Sequence, residues 1–294
     1  MNRFCLEKYS RSRRFTCPQC GKPRCFARYI DLAGIITFPD NVGRCDHLNH
    51  CGYHYTPRQY FRDHPDPARD RLPRPQLPPP PPPREPSYMT WQDVRKSFVW
   101  RDNALLVWMA AKLGTPTVLD LLTSYNVGSV DLWGGATVFW QVDCHGRVRG
   151  GKIMQYDRST GHRVKQPFAR VSWMHSYLHL PDYNLVQCYF GENLLRHDPG
   201  KAVVIVESEK TAMLCAARYP QMVWIATGGL SNLRPSECLR GRNVILMPDL
   251  GGEQLWEFKA RALSAICRSV TVSRALSDAT AQERQAGLDI GDFL

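Results

Sequence analysis

The chain has 294 residues, of which 43% are hydrophobic and 22% charged, and it carries a formal net charge of +11. That length suits about two domains, and that balance excludes a wholly disordered protein. No window approaches the roughly 18 to 20 uninterrupted apolar residues of a membrane-spanning helix, and the opening MNRFCLEKYSRSRRF lacks the apolar stretch of a secretory signal, so the sequence predicts a cytoplasmic protein with no membrane partner.

The charge is unevenly placed. Residues 1–86 hold 15 Lys and Arg against 8 Asp and Glu, a surplus of seven, which leaves four for the remaining 208. A basic N-terminal module on a nearly neutral body points to a phosphate-rich partner, because clustered cations gain free energy by releasing counterions from nucleic acid. Residues 1–64 form the first predicted module, a small β unit. Its Cys17-Pro-Gln-Cys20 segment is a C-x2-C knuckle, and Cys45 and Cys51 follow in GRCDHLNHCGYHY. Zinc takes four ligands in a tetrahedron, and two loops that each deliver a pair satisfy it. Cys17, Cys20, Cys45 and Cys51 are therefore the predicted zinc ligands. The second pair is spaced C-x5-C, so His47, His50 and His54 compete for places. Cys25 reads as an ordinary strand residue of RCFARYI, and the other cysteines as buried or incidental thiols. Eleven cysteines in a reducing compartment argue for metal and thiols rather than a disulfide framework. Structural zinc would also offset the small core of a segment of about 60 residues. With Arg24, Arg28, Arg44 and Arg58 nearby, the ribbon is a candidate nucleic-acid reader.

Residues 65–86, PDPARDRLPRPQLPPPPPPREP, hold eleven of the 22 prolines. Proline fixes φ and lacks a backbone donor, so this stretch predicts an extended polyproline II tether between modules. Docking into an aromatic-lined groove is its alternative use.

Residues 87–200 predict an α+β subdomain. Leu105, Leu106, Trp108, Met109 and Leu113 fit one or two amphipathic helices closed by Gly114, with a turn at Thr115-Pro116, and VLDLLTSYNVG predicts a further short helix ending near Gly128. ATVFWQVDCHGRVRGGKIMQYD reads as two strands joined by a turn at His145-Gly146. The segment's tryptophans, Trp91, Trp100, Trp108, Trp133, Trp140 and Trp173, are read as core, with stacking on unpaired bases as the alternative.

Residues 201–294 alternate apolar strands with helices: AVVIVE, then KTAMLCAARY, MVWIATGG, NVILMPD, GEQLWEFKARALSAI and SVTVSRA. This is the pattern of a parallel sheet covered on both faces, hence a small α/β domain. Glu207 ends the first strand, and Asp249 ends NVILMPD, 42 residues later. Ligands of open parallel sheets collect at the carboxyl ends of strands, where two carboxylates can share a divalent cation. Capping of the helices that follow is the simpler alternative role for either acid.

The order VVIVESEKTA, IATGG, VILMPD and LDIGDFL resembles the Toprim domain shared by bacterial and phage primases, type IA and type II topoisomerases and some nucleases. The resemblance implies a Rossmann-like sheet in which Glu207 and Asp249 are catalytic and bind Mg2+ or Mn2+, with Asp249 as the first member of an Asp-x-Asp pair. The second member falls at Gly251, and Ser208 stands where glycine is common. The resemblance thus implies either an altered ligand set, completed by Glu253, Asp289 or Asp292, or a domain that binds without catalysis. Upstream, TVFWQVDCHGRVRGGKIMQYD resembles the strand pair of the basic subdomain that precedes Toprim in primases. It implies that Arg147, Arg149 and Lys152 contact nucleic acid or nucleotide, with Lys210 as a catalytic cation close to the metal.

Zinc ribbon, tether, basic subdomain and Toprim in this order resemble the primase-like proteins of phages, plasmids and other mobile elements. The GRC…CGYHYTP and PDLGG…W variants resemble a group found in Bacteroides-type bacteria. The implied function is synthesis of short primers on single-stranded DNA from nucleoside triphosphates by metal-dependent nucleotidyl transfer. No GKS or GKT phosphate loop is present, so a helicase or relaxase would act in trans. An inactive DNA-binding replication or mobilisation accessory protein and a Toprim-type nuclease are the alternatives. A topoisomerase would require gate domains for which this chain is too short.

Overall fold

The computed structural model describes residues 3–8, 10, 13–47, 51–66, 82, 84–99 and 102–294. The chain divides into two compact units, Met1–Pro83 and Arg84–Leu294. Most of the predicted polyproline II tether, residues 67–81 and 83, falls outside the described residues. Its last residues are fastened within the second unit, where the Arg84 and Glu85 carbonyls accept from Asn184 Nδ2 at 2.8 and 2.9 Å.

The first unit is a four-stranded antiparallel sheet in sequential order, β1 (Phe4–Leu6), β2 (Phe26–Asp31), β3 (Gly43–Cys45) and β4 (His54–Tyr55). Helix α1 (Pro57–Asp63) follows, opened by a reciprocal capping box between Thr56 and Gln59. Buried Phe26 packs with Cys17, Cys25 and Cys45 in a core too small to be mainly hydrocarbon. Only glycine fits at position 43, because a Cβ there would lie 2.2 Å from the Ala27 carbonyl oxygen.

In the second unit, α2 (Trp91–Lys96) and α3 (Ala104–Leu113) are the predicted amphipathic helices, and Gly114 with φ +82 closes α3. Thr115 and Pro116 do not form the predicted turn. They open α4 (Thr115–Tyr125), since proline suits a first helical turn, where its missing N–H costs nothing. Helix α4 also stops earlier than predicted, at left-handed Asn126 rather than near Gly128. Gly128 lies inside β5 (Val127–Val130), where a Cβ would meet Ser97 Oγ at 2.0 Å. Strands β5, β6 (Ala136–Val142), β7 (Val148–Met154) and β8 (Val171–Trp173) form an antiparallel meander, and the β6–β7 turn holds His145 and Gly146 as expected. A single turn, α5 (Met174–Tyr177), follows.

The remaining elements are β9 (Val203–Val206), α6 (Glu209–Arg218), β10 (Val223–Ala226), β11 (Asn243–Leu246), α7 (Glu253–Ser264), β12 (Ser269–Val272) and α8 (Ala281–Ala286). The strands form an all-parallel sheet in the order β10-β9-β11-β12. Strand periodicity divides its apolar residues between two faces. Val204 and Val206 pack with Ala212 and Met213 of α6, while Val203 and Ile205 pack with Trp256 and Leu263 of α7. The fold is thus mixed α/β, with a β ribbon first and a parallel sheet last, as predicted.

Of the six tryptophans assigned to the core, Trp140 is fully buried, Trp91 is 40% exposed and donates its indole N–H to the Gly146 carbonyl, and Trp108, Trp133 and Trp173 are half-buried. Trp100 lies outside the described residues. The helical layer is pinned to the parallel sheet by buried Tyr125, whose hydroxyl donates to the Trp224 carbonyl at 2.7 Å. Tyr125→Phe leaves that carbonyl unpaired and should lower stability by about 1–2 kcal/mol in urea unfolding, with the fold retained.

Candidate metal centres and the acidic strand ends

Cys17 and Cys20 stand before β2, Cys45 ends β3, and Cys51 precedes β4. The Cys17 and Cys51 sulfurs are 3.7 Å apart and those of Cys20 and Cys45 4.0 Å, with all four within 4.8 Å of one another. Four thiolates at about 2.3 Å around a tetrahedral zinc stand about 3.8 Å apart, so this set fits a structural zinc. His54 is turned away, stacked on Tyr29 and hydrogen-bonded to its hydroxyl at 2.9 Å. His50 lies outside the described residues. His47 donates its backbone N–H to Cys45 Sγ at 3.4 Å, and its ring, followed by the Lys22 amide, draws the Cys20 thiol down to about 6. Sequence reasoning passed over Cys25, which is buried with its sulfur 3.8 Å from that of Cys45. Among the nearby arginines, Arg28 pairs with Asp40 at 2.8 Å and lies over the Phe15 ring.

The second cluster sits at the carboxyl ends of β9 and β11. Glu207 directly follows β9, and its Oε1 accepts from the Asp249 amide at 3.3 Å. Leu250 N–H donates to the Leu288 carbonyl at 3.0 Å, which seats the C-terminal segment against the end of β11. There Asp289 accepts from Thr211 Oγ1 of α6 at 2.6 Å and from the Gly291 amide at 2.7 Å. Burial is the main force raising all three acids, and neighbouring carboxylates, Asp292 in the case of Asp289, add to it. Glu207 is pushed up to about 7, with Asp289 contributing. Asp249 is pushed up to about 9, with Glu207, Asp289 and Asp292 contributing. Asp289 is also raised, against the opposing pull of Thr211 and Lys210. Such crowding is the chemistry of a site for a hard divalent cation. Among the described residues, no three of these carboxylates bring oxygens within 4.8 Å of one another, so ligation would require side-chain rotation.

Glu253 does not join this group. It opens α7, accepts the Gly251 amide at 2.8 Å and pairs with Arg284 at 3.4 Å. Gly251 itself has φ +92, with open space where a Cβ would stand. Nor does the structure bring all three predicted cations of the β6–β7 hairpin, Arg147, Arg149 and Lys152, together. Arg147 and Arg149 both bind the buried Asp143 carboxylate, at 2.9 and 2.8 Å, and flank the Tyr88 ring. Lys152 is buried against Glu209 at 2.9 Å and donates equally closely to the Gly228 carbonyl. Lys210 is buried over Trp108 and donates to the Gly161 carbonyl at 3.2 Å. Two further cations in this neighbourhood had no signature in the sequence: Arg163 acts on Asp249, and Lys259 on Glu207. A cavity of about 610 Å³ bounded by Asp93, Ser129 and Tyr177 contains none of the clustered acids.

The chain belongs to the family described as Domain of unknown function (DUF6371), whose model matches residues 103–250, half of its length. Residues 2–66 match a zinc beta-ribbon finger family. Among solved structures, the chain is similar to the primase fragment of the bacteriophage T7 primase-helicase protein, with 18% identity over 88% of each chain and a TM-score of 0.40. It is also similar to the RNA polymerase domain of Mycobacterium tuberculosis primase DnaG, with 14% identity over 66% of this chain and 79% of that one and a TM-score of 0.34. A third similarity is to a DnaG primase catalytic domain bound to ssDNA, at 12% identity over 59% and 61% with a TM-score of 0.28. No curated protein matches the sequence. No helix among the described residues is long and apolar enough to cross a membrane.

Elemental analysis of the full chain should find about one zinc, and Cys20→Ser should abolish it. The acids give a second expectation. In the folded state Glu207 and Asp249 keep protons that the unfolded chain releases above about pH 4, so these groups make stability fall as pH rises toward 9. Melting curves without divalent cations should show that fall, flattened in Glu207→Gln/Asp249→Asn. Added Mg2+ should raise the melting temperature of the native protein more at pH 8 than at pH 6.

Proposed function

We propose that the protein is a primase-type nucleotidyl transferase that binds single-stranded DNA and joins nucleoside triphosphates into short primers. The observation that carries this reading is the gathering of Glu207, Asp249 and Asp289, delivered by β9, β11 and the C-terminal segment, in reach of the charges of Lys210, Arg163 and Lys259. The acids would hold Mg2+ or Mn2+, which when bound neutralises charge on phosphate oxygens. Exposed Arg163 would meet a phosphate, and Lys210 holds Asp289 towards its charged form. Positioning and charge stabilisation carry such a transfer, so no side-chain nucleophile is needed. In this reading residues 1–64 form the template-reading ribbon, 65–86 a tether, 87–200 a basic subdomain and 201–294 the catalytic part. A mobile element of Bacteroides-type bacteria, a cytoplasmic setting and a helicase or relaxase in trans belong to the same reading.

A specific observation favours a second reading, a non-catalytic DNA-binding accessory protein. Gly251 offers no carboxylate, and Glu253 is engaged with its own helix end and Arg284. The two readings separate when the purified protein is incubated with single-stranded DNA, labelled nucleoside triphosphates and Mg2+ or Mn2+. The first expects short labelled products, reduced about 100-fold or more in Glu207→Ala and Asp249→Ala. DNA binding without product supports the second, and shortened DNA would instead indicate hydrolysis.

A further inference from the structure

The ribbon holds more soft donors than one tetrahedral ion uses. Besides Cys17, Cys20, Cys45 and Cys51, a second group, Cys20, Cys25, Cys45 and His47, also has its donor atoms within 4.8 Å of one another. The two groups share Cys20 and Cys45. Cys25 is 4% exposed, and its sulfur lies 3.8 Å from that of Cys45, the spacing of neighbouring thiolates about zinc. His47 Nδ1 is a buried atom with no hydrogen-bond partner among the described residues, although its ring lies beside Cys20. A buried ring nitrogen left unpaired costs free energy unless it has a use, and ligation is the use its neighbours offer.

We propose that Cys25 and His47 form a reserve half-site: one zinc ion rests on Cys17, Cys20, Cys45 and Cys51 and can pass, with Cys20 and Cys45 as the fixed pair, to Cys25 and His47. In the exchange the bonds from zinc to the Cys17 and Cys51 sulfurs break, and bonds to the Cys25 sulfur and a neutral His47 nitrogen form. Cys25 releases one proton and the departing thiolates take two, so the ribbon gains one proton and no redox change occurs. The resident set is the four-cysteine one because the Cys25 thiol donates to the Lys22 carbonyl at 3.1 Å and must give up that bond and its proton to ligate. The exchange protects the ribbon when Cys51, which is more exposed than Cys25, is chemically blocked. It rests on the ribbon's zinc and is independent of the primase reading.

Cobalt titration of the full chain tests this. Cys51→Ser should still bind about one Co2+ with a tetrahedral spectrum, its sulfur-to-metal charge transfer falling to about three quarters as three thiolates replace four. Cys51→Ser/Cys25→Ala should lose the ion, as Cys20→Ser does. Loss in Cys51→Ser alone, retention in the double variant, or two Co2+ per native chain would each overturn the proposal. A measurement that leaves the resident ligands intact guards against misfolding. Cys25→Ala/His47→Ala should keep about one zinc yet exchange it with isotopically labelled zinc several-fold more slowly than the native protein, and an unchanged rate would overturn the reserve half-site.

Discussion

A charge taken out of water must meet a counter-charge or give up its ionisation, and that requirement organises this molecule. Lys152 and Glu209 meet it together, and their contact holds the antiparallel sheet against the first turn of α6 while the ammonium also fixes the Gly228 carbonyl beyond β10. Asp143 meets it with two arginines and so ties the β6–β7 turn to β7. Asp31 meets it with Arg3, whose guanidinium, aided by the Ala33, Ile36 and Ile35 amides, holds the carboxyl well below the usual carboxylate range and fastens β1 to the end of β2. Glu207, Asp249 and Asp289 are the exception. Burial raises all three, neighbouring acids add to it, and Glu207 and Asp249 give up ionisation at neutral pH instead.

The exception is informative because each of the three acids reaches the cluster by a different route. Glu207 is carried there by the central strand β9, and Asp249 by β11 beside it. Asp289 arrives from the chain's end, held by Thr211 and by the Leu250–Leu288 backbone bond. A cation at this place would therefore join three segments that hydrogen bonds alone already bring close. Metal binding and the order of the C-terminal segment would be one event, a stronger coupling than in a site built on a single loop.

Local pattern carried most of the fold. Strand alternation, helical spacing and the C-x2-C knuckle each act over a few residues, so the parallel strands, α3, α6, α7 and the first zinc pair are legible in the sequence. The helix boundary at Asn126 was missed because asparagine and glycine compete for the left-handed position and tertiary fit at Gly128 decided it. Glu207 and Asp249 were legible as strand ends, whereas the place of Asp289 depends on a bond to Thr211, 78 residues away. Lys152 read as a free cation because its partner Glu209 is 57 residues distant. The arrangement of Arg147 and Arg149 was readable in principle, since Asp143 lies across a tight turn from both. Cys25 gave no signal, because a strand residue looks ordinary until β2 and β3 pair, and His47 was one of three competing histidines that spacing alone does not rank.

The loop at Gly251 constrains how this site can change. Its φ of +92 is backbone that side chains with a Cβ rarely adopt, although the space beside it is open. A single Gly→Asp replacement would therefore meet strain before it supplied a ligand. The Gly251 amide is also committed to Glu253, and Glu253 to Arg284, which ties this loop to the start of α7. A change of the acidic cluster to one with a paired aspartate would thus begin from a strained, hydrogen-bonded loop. The open space beside Gly251 makes backbone strain, not crowding, the obstacle to a carboxylate there.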